Sequence, residues 1–543
     1  MAFSFPPEIF RNIFKELDVT SLHSCVLVNR TWCVNTAPIL WQNPLDFVHN
    51  NYKRLELQIK IKQIINIYLS SLSDDSKVNF ENNHVMSKRH FTTTFNYASF
   101  LRSLNLLLLL DSINLTFTLI TRNSYKKREF IYLELIKLFL HESSCVDSLE
   151  CCTLTIENDE KVDDFKVIYN DISKIPGAIS CLSRLKRLRC RDKTSLLLPS
   201  LAQITKSLRT LEIFNSRKNR NMILDIIHAQ SELEQFFIFY SDITSKYLDA
   251  LRSNFNNLQK IFIHCSIRIS FINILYEIPN IKEFSIICIG YYGSDLSTEK
   301  SRSSSIYNQM LYRARYNHYG FLNARSRLVI PPSDNLISEN SLIINSNLSK
   351  LTKLEINHDE NIAHVQQYIP IIQCTHGSLR EIQILLGPHR PSNSSQLFTT
   401  IINNCPNLRV LGLYVPDDVI SEIPRLFKTC NLLEEVYLLG GPVSTTKIRT
   451  FLKEIGDVVP QDLRCIYLGP GHWDYSSEAL KYFLDCCEIR LNRKPLKFLY
   501  NHTKKFLEIL EEYVEKGVLE ILKISIDPLP ESEDDSYGGM EGN

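Results

Sequence analysis

Arg187, Arg189 and Arg191 stand at alternate positions in RLKRLRCR, the spacing in this chain most suggestive of binding chemistry. In an extended strand all three share one face, a comb that could grip a carboxylate or phosphorylated motif through charge-assisted bonds. A solvated basic face accounts for the same spacing. A second candidate is His472 beside Asp474 in the loop GPGHWDYSS, the residue types of a general base and its orienting carboxylate. No G-x-x-x-x-G-K, G-x-S-x-G, G-x-G-x-x-G or H-E-x-x-H motif accompanies it, and a Gly-Pro loop insertion explains it as well. The 15 cysteines include no C-x-x-C pair, which points to reduced, buried thiols and to neither disulfides nor zinc. The expectation is a chain without catalytic residues, metal or cofactor.

The elements that must position these residues follow from charge and period. Lys and Arg total 61 against 60 Asp and Glu, so no global field favours nucleic acid or an anionic membrane as partner. The apolar run Leu106 to Leu110 is far short of the roughly 20 residues of a membrane span. The opening MAFSFPPEIFRN lacks the continuous apolar stretch of a signal peptide, so a cytoplasmic or nuclear location is expected.

A template, apolar-x-x-apolar-x-apolar, recurs from Leu185, Leu208, Leu233, Leu258 and Ile281, then from Leu351, Leu379, Leu408, Leu433, Leu463, Leu496 and Leu519, with a possible earlier copy at Leu149. Stretches of helical spacing lie between copies, such as SKYLDALRSNF and SSQLFTTIINNC. Each unit therefore reads as a short strand followed by a helix, which buries its apolar residues only when stacked on neighbours. Cys405 and Cys430 precede the leading Leu by three residues, Cys181 and Cys374 by four and five, as small buried side chains where a helix ends. Residues between the apolar positions point to the other strand face. There the pattern places Phe237, Phe239, Phe262, Tyr414, Tyr437, Tyr467, Phe498 and Tyr500, residue types favoured both at interfaces and in strands generally.

The first 41 residues differ in kind. Pro6 and Pro7 suit a helix start, and Ile9, Phe10, Ile13, Phe14 and Leu17 fall within an arc of about 140°. Asp18 breaks the pattern and DVTS offers caps for a second helix carrying Leu22, Cys25 and Val26. A third short helix holds Trp32 and is expected to end near Pro38, with Trp41 just beyond.

Over PPEIFRNIFKEL, SLHSCVLVNRTW and PILW this block resembles an F-box, with Phe5 where Leu usually precedes the Pro. From about Ser148 to Asp527 the chain resembles the leucine-rich-repeat proteins, nearer their cysteine-containing subclass than the ribonuclease-inhibitor type. The resemblance implies an α/β repeat protein: a three-helix F-box over 1–45, a helical linker or cap over 46–147, and an irregular leucine-rich-repeat solenoid, or horseshoe, over 148–289 and 346–527. A partly disordered insertion over 290–345 and a disordered acidic tail over 528–543 complete it. It also implies a Skp-type adaptor, and through it a cullin ubiquitin ligase, as partner. Phe5, Pro6, Pro7, Glu8, Ile9, Ile13, Phe14, Leu17, Leu22, Cys25, Val28 and Trp32 would contact the adaptor, and the repeats would capture a protein substrate. A repeat scaffold that degrades nothing is the alternative.

Overall fold

Wherever the template recurs, a strand follows. The computed structural model describes residues 6–521 except 53, 83–92, 118–123, 153–170, 192–196, 215–219, 240–244, 265–273, 289–346, 359–364, 387–393, 417–418, 441–444, 469–474, 492–493 and 501–505. The expected insertion and acidic tail, together with His472 and Asp474, lie outside these residues. The described residues divide into two compact units, the first ending at Leu351 and the second beginning at Thr352.

The first unit opens with helices α1 (Pro7–Lys15), α2 (Val19–Val26), α3 (Arg30–Leu40), α4 (Pro44–Asn51), α5 (Arg54–Ser70) and α6 (Asp74–Asn82). Strand β1 (Ser103–Asn105) and helices α7 (Leu106–Thr116) and α8 (Ser124–Glu142) come next. Then follow β2 (Ser148–Cys152), β3 (Arg187–Arg191), β4 (Thr210–Phe214), β5 (Gln235–Phe239), β6 (Lys260–His264) and β7 (Glu283–Cys288), each parallel to the strand before it. The second unit repeats the plan with β8 (Lys353–His358), β9 (Glu381–Leu386), β10 (Val410–Val415), β11 (Glu435–Gly440), β12 (Cys465–Leu468), β13 (Leu496–Tyr500) and β14 (Leu519–Ile521). Parallel neighbours need crossover connections, and helices such as Arg220–His228 and Ser394–Asn404 supply them.

From β3 to β12 all three template positions are buried, as with Leu208, Leu211 and Ile213. One backbone device repeats between strands. The carbonyl after the leading apolar residue accepts two successive N–H groups of the next unit: Lys186 from Arg209 and Thr210, Arg209 from Glu234 and Gln235.

Pairing registers correct the sequence reading at four places. Leu101, Leu104 and Leu106 obey the template inside the segment read as a linker, and β1 forms there; the onset of α7 at Leu106 masks the pattern. Leu149 pairs with Leu188, so that copy of the template starts at Val146 and not at Leu149. Phe498 pairs with Ile466 and lies 2% exposed, its ring 6.4 Å from Phe483. Phe498 therefore belongs to the core and not to the opposite strand face; Tyr500 is in register with Leu468, its side chain outside the described residues. Ile521 pairs with Phe498, which moves the start of the last copy to Val518.

The turn cysteines behave largely as their spacing suggests. Cys181, Cys405 and Cys430 are buried, and the Cys430 thiol donates to the Cys405 carbonyl at 3.3 Å. Cys374 is only half-buried because Thr375 takes the buried turn position. Burial pushes the Cys405 thiol up to about 12 and that of Cys430 up to about 11. At pH 8 almost no thiolate exists at either, so a short iodoacetamide pulse on the native chain is expected to spare both while modifying the half-buried Cys33. Equal labelling of the three by peptide mass spectrometry would contradict this packing.

Candidate docking block and strand face

Local chemistry sets the frame of the first three helices. Pro6 precedes α1 and Pro7 opens it, where the missing N–H is no loss; Ile9 and Phe10 donate to the Pro6 carbonyl at 3.0 and 3.4 Å. The Asp18 carboxylate accepts from the Ser21 N–H at 2.7 Å, capping α2, and this bond holds its pKa below the usual value. Asn29 caps α3 by accepting from the Trp32 N–H at 2.9 Å. Helix α3 runs through Pro38 to Leu40, past the expected end, because proline removes a single bond, to Val34 on the exposed side.

The broad apolar arc of α1 divides in two. Phe14, 1% exposed, packs with Leu22 and Cys25, flanked by Phe10, Leu17 and Trp32. The Phe14 and Trp32 rings lie 5.2 Å apart, with Phe10 at 5.8 Å from Phe14. Ile9 and Ile13, one turn apart, face solvent at 42% and 51% exposure. Pro6, Pro7, Glu8 and Val28 are also exposed. Of the residues expected to contact an adaptor, Phe14, Leu22 and Cys25 are therefore interior and shape the surface instead of forming it. Leu17 and Trp32 are half-buried against them, and Phe5 lies outside the described residues. Two exposed apolar residues were not anticipated: Leu27, 85% exposed where α2 ends, and Val34 on α3. Leu27 falls in the run CVLV, where no period separates inside from outside.

The block is joined to the sheet without a free spacer. Trp41 lies 4.2 Å from the Tyr97 ring and edge-on to Tyr68 of α5. The Gln42 carbonyl accepts from the Arg102 and Ser103 N–H groups at 3.0 and 3.2 Å, repeating the device that joins successive strands.

On the strand face, Asn105, Glu150, Arg189 and Glu212 stand in register across β1 to β4. Arg189 donates to Glu212 at 2.8 Å and to Glu150 at 3.3 Å, while Asn105 donates to Glu150 at 3.0 Å. The middle tooth of the arginine comb is thus already bound by carboxylates. Arg187 is exposed and 3.9 Å from Glu212; Arg191 ends β3, its side chain outside the described residues. Arg189→Ser leaves two largely buried carboxylates facing each other and is expected to cost about 2 kcal/mol, less than for a fully buried pair because Arg189 keeps some exposure. Urea unfolding checks it, and an unchanged midpoint would show that the network contributes nothing.

The aromatic positions separate similarly. Phe239 stacks on Phe214 at 4.3 Å and lies 4.9 Å from Phe262; Phe239 and Phe262 are both buried, and Phe237 is half-buried beside Phe262. In the second unit Tyr414 and Tyr437 are half-buried against Leu439 and Tyr467, and the Tyr437 hydroxyl donates to Glu435 at 2.8 Å. Buried Phe239, Phe262 and Tyr467 build the face; Arg187, Phe237, Tyr414 and Tyr437 keep side-chain surface on it. Among the described residues, no helix is long and apolar enough to cross a membrane, and no group of three His, Cys, Asp or Glu could hold a metal ion.

A three-helix block with a filled interior and outward-turned apolar side chains thus precedes the parallel strand-helix units of an α/β protein. Residues 3–46 match the F-box-like family model. The chain therefore carries an F-box-like domain at its N-terminal end. No curated protein matches the chain.

Proposed function

We propose that this chain is the non-catalytic substrate-recognition subunit of a Skp/cullin/F-box ubiquitin ligase. The F-box-like block docks a Skp-type adaptor through Ile9, Ile13, Leu27, Val28 and Val34. The strand-helix units, read as irregular leucine-rich repeats stacked in a solenoid, hold a protein substrate. The observation that carries this reading is the exposure of those apolar residues on a block whose interior Phe14, Leu22 and Cys25 already fill. Exposed apolar side chains of this kind gain free energy when a partner covers them. Catalysis is then positional: adaptor and substrate held on one chain raise the substrate's effective concentration near charged ubiquitin. Such an assembly works in the cytoplasm or nucleus.

Co-purification of the full chain with a recombinant Skp-type adaptor tests the docking, with a one-to-one complex expected. Ubiquitin-dependent turnover of proteins bound to the complex separates a ligase receptor from a non-degradative scaffold, since a scaffold leaves their lifetimes unchanged.

A further inference from the structure

Helix Leu507–Glu515 is the last helix among the described residues. Earlier helices of the second unit pack flank against flank, as Thr445–Gly456 does against Ser477–Arg490. The contact between Ser477–Arg490 and Leu507–Glu515 is polar: Lys481 lies 3.8 Å from Glu512, and the Tyr513 hydroxyl donates to Asp485. The junction before it uses the same chemistry, with the Tyr482 hydroxyl donating to Asp457 at 2.6 Å. At each, a carboxylate on or just after the earlier helix accepts from a tyrosine of the later one.

The other flank of Leu507–Glu515 has a different make-up. At 100° per residue, Leu507, Glu511 and Val514 fall within an arc of about 60°, separated from Tyr513 and Glu512 by the buried Leu510. This is the side on which a further helix of the array would stack. Leu507 is 46% and Val514 38% exposed there, whereas Ile509, Leu510 and Tyr513 are buried. Glu508, Glu511 and Glu515 are exposed beside them, and none has an ion pair among the described residues.

Charge decides what covers such a flank. Residues 522–543 follow in the chain and hold six acidic residues against one lysine, the same sign as the flank. A second copy would set Glu508, Glu511 and Glu515 against their equals, which is repulsive. We propose that this flank docks an α-helix of a partner protein. The helix lays apolar side chains, spaced by three or four residues, on Leu507 and Val514, and presents Lys or Arg to Glu511 and its neighbours. No residue of the F-box-like block takes part, so the surface stands or falls independently of adaptor docking.

A displayed library of monomeric helical peptides, selected on the full-length chain and counter-selected on the Leu507→Ser/Val514→Ser variant, tests it. Helices with net positive charge and an apolar stripe are expected. As a synthetic peptide, the best of them should bind the double variant about tenfold more weakly than wild type, and Glu511→Lys about fivefold more weakly. Changing the peptide's facing Lys to Glu should restore its affinity for Glu511→Lys. All three positions are exposed, so circular dichroism and the urea midpoint should match wild type. Selection of acidic or uncharged helices, or of none that separates wild type from the double variant, overturns the proposal. Self-association of the wild-type chain that the double variant abolishes would assign the flank to a second copy. Helices recovered only after the acidic residues of 522–543 are changed to amides would assign it to that segment. Either result overturns the partner helix.

Discussion

Changing Ile9 and Ile13 together to Asp is expected to lower affinity for a Skp-type adaptor at least a hundredfold while leaving the chain folded. Both side chains are about half exposed, so neither substitution opens a cavity or strands a polar group inside the block. Being half exposed, each would bury in a complex apolar surface worth about 0.8–1.5 kcal/mol, and Asp would have to shed its water without a partner at a further cost of about 1–3 kcal/mol. The loss of two such contacts exceeds the roughly 2.7 kcal/mol that corresponds to a hundredfold. Phe14→Ala should also abolish binding, but by another route. It empties the space between Leu22, Cys25 and Trp32, at a cost of about 3–5 kcal/mol that so small a block cannot absorb. Calorimetric titration paired with hydrogen exchange of α1 to α3 separates the two. The double Asp variant should keep wild-type protection and Phe14→Ala should lose it. If the double variant binds within threefold of wild type, the adaptor does not use this face.

The sequence made the strand-helix plan legible and left its registers ambiguous. Leu208, Leu211 and Ile213 fit the template in one frame only, and the structure buries all three. Around CCTL two frames satisfy it, and around LKFLY and VLEIL two frames compete, one of them failing only at Asn501 or Lys523, so only the neighbouring strand decides the register. The arc of α1 was likewise visible, but its division was not, because Trp32 and Leu22, which cover one half, belong to other helices. The carboxylates around Arg189 were closer to hand. Once the template copy at β2 is counted from Val146, Glu150, Arg189 and Glu212 share one template position, and parallel stacking sets them side by side. That signal was present in the spacing and was obscured by the wrong start.

The stacking of the first unit also depends on amides at its helix-to-strand turns, and Asn254→Ala is expected to destabilise it by about 4 kcal/mol. Asn254 is fully buried; its side-chain oxygen accepts from the Leu233 N–H at 3.1 Å and its amide donates to the Gln230 carbonyl at 3.1 Å. Gln230 repeats the arrangement one unit earlier, accepting from the Leu208 N–H at 3.0 Å and donating to the Thr205 carbonyl at 2.9 Å. Alanine leaves one buried backbone donor and one acceptor unpaired, each costing roughly 1–3 kcal/mol, whereas the original bonds contribute little beyond avoiding that penalty. Because units in such an array stabilise their neighbours, the loss should spread from the Leu233 amide to that of Leu208. Asn257→Ala is the matched control. Its side chain is exposed and donates to the Ser231 carbonyl at 2.8 Å, where water can replace it, so a change within about 0.5 kcal/mol is expected. Urea unfolding with exchange at Leu208 and Leu233 measures both. Equal effects of the two substitutions would mean that the turn amides are solvated and that packing of the template residues alone joins one unit to the next.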